Sequence, residues 1–107
     1  MNPNEYQKLA LRTANKDPEY PRIINGVLGL AGEAGECADI VKKHLFQGHE
    51  LNKEKLLDEI GDVLWYCAYS ADALGLRLED IMRHNIDKLA KRYPEGFAAD
   101  KSINRKI

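Results

Sequence analysis

The stretches GLAGEAGECADIV (residues 29–41) and LLDEIGDVLWYC (residues 56–67) decide the fold of this chain. Both are mostly apolar, and each carries two acids at positions i and i+3. The acids are Glu33 and Glu36 in the first stretch, and Glu59 and Asp62 in the second. Because side chains with this spacing point the same way on a helix, each stretch presents two carboxylates at the margin of its apolar stripe. Carboxylates placed there need a positive partner, and a divalent metal is one candidate.

Helical periodicity extends beyond both stretches and predicts four helices. The first covers roughly residues 4–16, and the second runs from residue 22 to 46. Asn52 is the expected N-cap of the third helix, which runs to residue 74. The fourth begins near residue 79 and ends at Tyr93, before Pro94. Residues 94–107 are expected to form an extended tail, and no segment shows the alternation typical of strands.

The third predicted helix is apolar on more than one side, which is typical of a central helix. Trp65 projects from nearly the opposite side to the main stripe, which includes Ile60 and Leu64. In a chain of 107 residues, another subunit is expected to cover this second side. Small domains also bury only a modest core alone. We therefore predict an all-α fold, an antiparallel bundle of four main helices completed by oligomerisation, in one domain spanning residues 1–107.

The composition excludes several classes of protein. Hydrophobic residues make up 44% of the chain and charged residues 31%, which indicates a soluble globular fold. The net charge of −1 provides no broad field for a nucleic-acid polymer or a membrane surface. No apolar run is long enough to span a bilayer, and the start shows no signal-peptide pattern. Cys37 and Cys67 are expected to be reduced packing residues, which fits a cytoplasmic protein.

The two acidic pairs are expected to come level with each other. A short loop joins the second and third predicted helices, so these helices should pack antiparallel. One pair of carboxylates about 5 Å apart costs about 3 kcal/mol at an effective dielectric constant near 20. Protons, basic side chains or a metal must therefore neutralise a cluster of four, and ligands that are all oxygen suit Mg²⁺ or Mn²⁺. The alternative is that both pairs are solvated helix margins.

The fourth predicted helix carries a polar and basic edge beside its apolar stripe. Asn85, Lys88 and Arg92 lie together along this edge. A basic edge near a metal bound by acids can hold phosphate oxygens from the opposite side. The alternative is that Lys88 and Arg92 extend beside the core or pair with surface acids.

Four glycines recur at every third position of the second predicted helix. They are Gly26, Gly29, Gly32 and Gly35. Each glycine costs a helix about 1 kcal/mol relative to alanine. The series therefore indicates either close approach of a neighbouring helix or room for a ligand. It is neither a P-loop nor a dinucleotide fingerprint, since no strand precedes it and the spacing differs.

These residues resemble the MazG-like, all-α nucleoside triphosphate pyrophosphohydrolase superfamily. That group carries a Glu-x-x-Glu pair and a Glu-x-x-Asp pair on consecutive antiparallel helices. LAGEAGE (residues 30–36) and DEIGD (residues 58–62) match both pairs, and the segment from Asn85 to Phe97 matches N-x-x-K-x-x-x-R-Y-P-x-G-F. The resemblance covers nearly the whole chain.

The resemblance implies an activity and a set of site residues. A nucleoside triphosphate would be cleaved to a monophosphate and pyrophosphate by a homodimer or homotetramer with sites near the subunit contacts. Glu36 is the expected base for the attacking water. The implied ligands of Mg²⁺, or of Mn²⁺, are Glu33, Glu36, Glu59 and Asp62; the implied phosphate contacts are Asn85, Lys88 and Arg92. No residue is matched to the base, although Gln7, Arg12 and the aromatic side chains of the third helix are considered.

Two other functions remain open from the sequence. The first is a helical regulatory module that binds metal or nucleotide without catalysis, because its acidic motif would look the same. The second is a phosphoribosyl-ATP pyrophosphohydrolase of the same superfamily. The LAGEAGE stretch and the RYPEGF segment (residues 92–97) favour the MazG-like branch.

Overall fold

A computed structural model of the chain describes residues 1–105, and its regular structure is helical. The five helices are α1 (Pro3–Ala10), α2 (Arg22–Phe46), α3 (Lys53–Ala73), α4 (Leu78–Arg92) and α5 (Ala99–Ile103). A single 3₁₀ turn, Leu11–Thr13, follows α1. No strand occurs within residues 1–105, so the prediction of an all-α fold is confirmed.

Local signals set the ends of the two longest helices. α2 begins and ends where its periodicity predicts. The Asn52 side chain caps α3 by accepting a hydrogen bond of 3.0 Å from the backbone N–H of Lys55. Gly48 and Gly75 follow the two helices with φ of 72° and 74°, a left-handed conformation that ends a helix readily.

Both ends of the chain differ from the prediction. The first helix was expected to reach residue 16, but it tightens into the 3₁₀ turn and ends at Thr13. The segment 94–107 was expected to be extended, but α5 forms within it, where Ala99 and Lys101 are good helix formers. Residues 106 and 107 of that expected tail lie outside the described residues.

α2 and α3 form the central pair and run antiparallel, because residues later in α2 contact residues earlier in α3. Gly26 lies against Ser70, and Gly29 lies against the Tyr66 ring. A Cβ atom at either glycine would overlap these side chains, whereas a Cβ on Gly32 would meet no atom within 4 Å. Close packing therefore explains the first two glycines of the series, and the other two face open space.

Gln7 joins α1 to the corner between α3 and α4. Its buried side chain donates hydrogen bonds to the backbone carbonyls of Ala68 (3.1 Å) and Leu76 (3.2 Å). Its carbonyl oxygen accepts a bond of 2.9 Å from the backbone N–H of Leu78. The two carbonyls and the N–H group thereby have hydrogen-bond partners inside the protein, so their burial carries no penalty for an unpaired polar group.

α1 covers the side of α3 that carries Trp65. The indole Nε1 donates to the carbonyl of Ala10 at 2.9 Å and to the Thr13 hydroxyl at 3.0 Å. The same chain therefore covers part of this side and leaves Trp65 half-buried, and the expectation that another subunit covers it stays a prediction. The main stripe of α3 is the more open side, with Ile60 54% and Leu64 44% exposed.

The core of a single chain is small for its length. Its buried apolar residues are Ile40, Ala68, Tyr69, Ala71 and Leu78. α4 packs against α1 and α3, but Ile86 in its apolar stripe is 63% exposed. The radius of gyration is 16.9 Å, whereas a compact domain of this length has about 13 Å. Closure of a four-helix bundle by oligomerisation stays a prediction.

No helix among residues 1–105 combines the length and the apolar character needed to cross a membrane.

Substitution by alanine should have opposite effects on stability at a packed glycine and at a glycine that faces open space. Gly29→Ala should lower the free energy of unfolding by about 1–3 kcal/mol, because the new methyl group overpacks the contact with Tyr66. The matched control, Gly32→Ala, should raise it by up to about 1 kcal/mol through helix propensity. Urea unfolding followed by circular dichroism measures both. Equal effects of the two substitutions would contradict the close approach of α2 to α3.

Candidate metal centre

Three of the four predicted acids converge between α2 and α3. One carboxylate oxygen from each of Glu33, Glu59 and Asp62 lies within 4.8 Å of the others. Glu33 extends from α2, and the i, i+3 spacing on α3 points the other two toward it. Glu33 and Glu59 are half-buried, whereas Asp62 is exposed, so the cluster is open to solvent on one side.

Crowding changes the protonation of this cluster. The pKa of Glu33 is raised, first by a hydrogen bond with the Glu59 side chain and then by burial and the charge of Asp62. A hydrogen bond between two carboxyl groups requires a proton on one of them. The raised pKa means that Glu33 takes up a proton more readily than a free carboxylate, and this uptake reduces the repulsion as a bound cation also does. The all-oxygen donor set fits Mg²⁺ or Mn²⁺.

Glu36 lies outside the group of three acids and is exposed. A residue at i+3 is rotated by about 60° from the direction of residue i on an α-helix. The two acids of α3 have the same spacing and both reach Glu33, so the orientation of α2 relative to α3, and not the spacing itself, leaves Glu36 outside. Its charge nevertheless contributes to the raised pKa values of Glu33 and Lys43, although Asp39 is the main cause at Lys43. Its predicted roles as metal ligand and base stay predictions.

The predicted phosphate contacts lie on α4. Asn85 is exposed on α4, and Lys88 and Arg92 are half-buried. Arg92 lines a cavity of about 340 Å³ at the C-terminal end of α4, and none of the clustered acids lines it. The other residues that line this cavity are Lys91, Pro94, Asp100, Lys101, Asn104 and Arg105. Among the described residues, Arg92 and the clustered acids line different cavities, and the roles of Asn85, Lys88 and Arg92 as phosphate contacts stay predictions.

A smaller pocket lies directly beside the acids. Its volume is about 290 Å³, and its lining residues are Thr13, Glu33, Asp62, Trp65 and Tyr66. Sequence reasoning considered the two aromatic residues for packing or stacking, and it missed Thr13. The available signal was that Thr13 follows Ala10 by three positions on the packing side of the first predicted helix.

α1 also brings Tyr6 near the acids. The pKa of the Tyr6 phenol is raised by burial and, to a smaller degree, by Cys67 and Asp62. Burial also raises the pKa of the Cys67 thiol. A thiol with a raised pKa is a poor nucleophile. Nothing about the Cys67 thiol therefore marks it as a nucleophile.

Metal binding should depend on pH through Glu33. Because the pKa of this carboxyl is raised in the folded chain, the metal-free protein loses stability as pH rises through that value. A cation that replaces the proton should stabilise the protein more at about pH 7 than at about pH 5. We expect the rise in Tm caused by Mg²⁺ to be larger at the higher pH, as measured by differential scanning fluorimetry.

Glu33→Gln is the control for that measurement. It retains the shape of the side chain but has no proton to release. The variant should show a higher Tm without Mg²⁺ at neutral pH and a smaller response to the ion. An unchanged response to Mg²⁺ would contradict the assignment of Glu33 to the site.

Comparisons with known proteins give one matching family model and two similar relatives. The family model described as the MazG nucleotide pyrophosphohydrolase domain matches residues 25–97, which include both acidic pairs. The Gene 37 protein of Mycobacterium phage L5 is 38% identical over 82 residues, which cover 73% of this chain and 72% of the relative. The uncharacterized protein YvdC of Bacillus subtilis (strain 168) is 34% identical over 73 residues, which cover 60% and 69%. No solved structure gives a significant match.

Proposed function

This chain belongs to the MazG nucleotide pyrophosphohydrolase family, and we propose that it hydrolyses a (deoxy)nucleoside triphosphate to the monophosphate and pyrophosphate with Mg²⁺. Members of the family generally depend on a divalent metal. The observation that carries the proposal is the convergence of Glu33, Glu59 and Asp62 within 4.8 Å. Three carboxylates so close together repel one another unless positive charge is bound between them. A divalent metal supplies that charge and can also bind the phosphate oxygens of a substrate.

The acids divide into two roles in this proposal. Glu33, Glu59 and Asp62 hold the metal from two helices, and their backbone positions are set by the close approach of α2 to α3. A magnesium ion held there supplies charge neutralisation and polarisation of phosphate oxygens. Glu36 lies outside the cluster and is therefore available to take the proton of the water that attacks phosphorus. Such a general base typically contributes 10²–10⁴-fold to the rate.

This division predicts different defects in two isosteric variants. Glu59→Gln should lose both the Mg²⁺-dependent rise in Tm and the release of pyrophosphate. Glu36→Gln should retain the rise in Tm but lose about 10²–10⁴-fold in kcat. Asp58→Asn changes an exposed acid of α3 outside the cluster and should leave both properties unchanged.

A substrate panel tests the reaction itself. Ribo- and deoxyribonucleoside triphosphates and phosphoribosyl-ATP are compared with Mg²⁺ and with Mn²⁺, and pyrophosphate release is measured. We expect turnover of simple triphosphates. Tight binding without turnover of any substrate would favour the regulatory module, and preference for phosphoribosyl-ATP would favour the other enzyme of the superfamily.

We further propose that the chain acts as a homodimer, or as a homotetramer built from such dimers. The outer face of α2 is apolar and open, with Val27 57%, Leu28 67% and Leu45 63% exposed. The apolar stripe of α4 is similarly uncovered. Packing of these faces between two copies removes apolar surface from water. It also allows α4 of one copy to bring Asn85, Lys88 and Arg92 toward the acids of the other.

Complementation between two inactive variants tests this exchange of α4. Lys88→Ala and Glu59→Gln should each be inactive or nearly so. In a mixed dimer, one site combines intact acids from one chain with an intact Lys88 from the other. When the two variants mix at random, about half of the dimers contain one chain of each. One of the two sites in such a dimer is intact, so about a quarter of the wild-type activity should return.

The controls establish the assembly and the geometry. Sedimentation should show a dimer or tetramer for the wild type and for both variants. If the mixture forms mixed dimers but recovers no activity, Lys88 acts on the acids of its own chain, or on none.

Both cysteines are unpaired, which fits the reducing cytoplasm that we propose as the location of this protein.

A further inference from the structure

We propose that the cavity at the C-terminal end of α4 binds a diphosphate group through Lys91, Lys101 and Arg105. Its volume is about 340 Å³, which falls within the roughly 300–1,000 Å³ of ligand pockets. Lys101 and Arg105 follow the matched family domain, which ends at residue 97. The inference does not depend on the proposed reaction, because this cavity is separate from the pocket beside the acids.

A tight turn after α4 builds the cavity. Tyr93 caps the end of α4, and Pro94 has no N–H group to continue the helix. Gly96 has φ of 91°, a left-handed conformation, and its backbone N–H donates to the Tyr93 carbonyl at 3.1 Å. The rings of Tyr93 and Phe97 contact each other with centroids 5.5 Å apart, which stabilises the turn. The last turn of α4 and the segment around α5 therefore line one cavity.

The lining of this cavity is strongly basic, although the whole chain has a net charge of −1. Four of its seven lining residues are basic and one is acidic. Lys91, Lys101 and Arg105 are exposed, and no ion pair joins them to an acid within residues 1–105. Like charges around one cavity repel one another, and an anion bound between them reduces that repulsion.

The donor groups suit phosphate rather than a base. Ammonium and guanidinium groups bind phosphate oxygens through charge-assisted hydrogen bonds, and the Asn104 amide adds a neutral donor. No aromatic side chain among residues 1–105 lines the cavity, so a nucleobase has no ring to stack on. Cations that come from α4 and from the segment around α5 favour an anion with more than one charged centre. A diphosphate group is the shortest phosphate chain of this kind.

Helix ends give two of these cations another possible role. Lys91 lies in the last turn of α4 and Lys101 in the last turn of α5, where positive charge interacts favourably with the helix dipole. That role predicts an effect of each lysine on stability and none on anion binding. It also gives no place to Arg105, which follows α5. A direct binding measurement therefore separates the two roles.

Isothermal titration calorimetry of the full chain with inorganic pyrophosphate tests the site. All solutions are freed of divalent ions with a chelating resin, so that the acids cannot hold pyrophosphate through a metal. We expect a Kd below about 1 mM. Inorganic phosphate should bind at least about tenfold more weakly, because a single phosphate group reaches fewer of the cations. Equal affinity for the two anions would overturn the assignment of a diphosphate site.

A double variant locates the binding. Lys101→Gln combined with Arg105→Gln should raise the Kd for pyrophosphate by roughly 2- to 30-fold, the sum of two exposed charge pairs. The control combines Lys8→Gln with Lys53→Gln, which removes the same charge from exposed positions outside the cavity. The control should bind as the wild type does, and far-UV circular dichroism verifies folding. Equal weakening in both double variants would show that net charge alone attracts the anion, and the site would be wrong.

Kinetics distinguish the two sources of a diphosphate group. If the β- and γ-phosphates of a triphosphate substrate occupy the cavity, the Lys101→Gln and Arg105→Gln pair raises KM with little change in kcat. If free pyrophosphate occupies it, KM is unchanged and inhibition by added pyrophosphate is relieved.

The outcomes also separate this site from the proposed reaction. A chain that binds pyrophosphate in this cavity but hydrolyses no triphosphate retains the site, and the proposed reaction is wrong. If triphosphates are hydrolysed but the Lys101→Gln and Arg105→Gln pair leaves the Kd for pyrophosphate unchanged, the site is wrong and the proposed function stands.

Discussion

The close approach of α2 to α3 is the constraint on which the site depends. Gly26 and Gly29 have no side chain, so Ser70 and the Tyr66 ring pack directly against the α2 backbone. Beyond this contact Glu33 comes level with the acids of α3, and three carboxylate oxygens gather within 4.8 Å. The packing that stabilises the helix pair thus creates an electrostatic penalty. Uptake of a proton by Glu33, whose pKa is raised by the hydrogen bond with Glu59, reduces that penalty, and binding of a divalent cation reduces it further.

A second set of contacts determines what lies around the acids. Gln7 anchors α1 across the corner between α3 and α4 through three buried hydrogen bonds. This position brings Ala10 and Thr13 over Trp65 and fixes the indole ring next to the acidic cluster. Along α3, the acids Glu59 and Asp62 are followed by Trp65 and Tyr66.

The single chain leaves much of its apolar surface uncovered. Its radius of gyration of 16.9 Å exceeds the value of about 13 Å for a compact domain, and the faces of α2 and α4 that lack cover are apolar. The uncovered faces, and the different cavities that Arg92 and the acids line, have one common explanation in the proposed oligomer. A second copy buries apolar surface and supplies cations where negative charge accumulates.

Local physical rules account for what the sequence by itself determined. Periodicity, the Asn52 cap and the terminating glycines act within a few residues, so they defined α2 and α3 nearly to the residue and placed the acids at i and i+3. They could not determine how one helix is rotated against another. Only the tertiary structure decided that Glu36 lies outside the cluster, that α1 covers Trp65, and that two of the four glycines are packed. Each depends on contacts between residues distant in sequence, which helical periodicity does not encode.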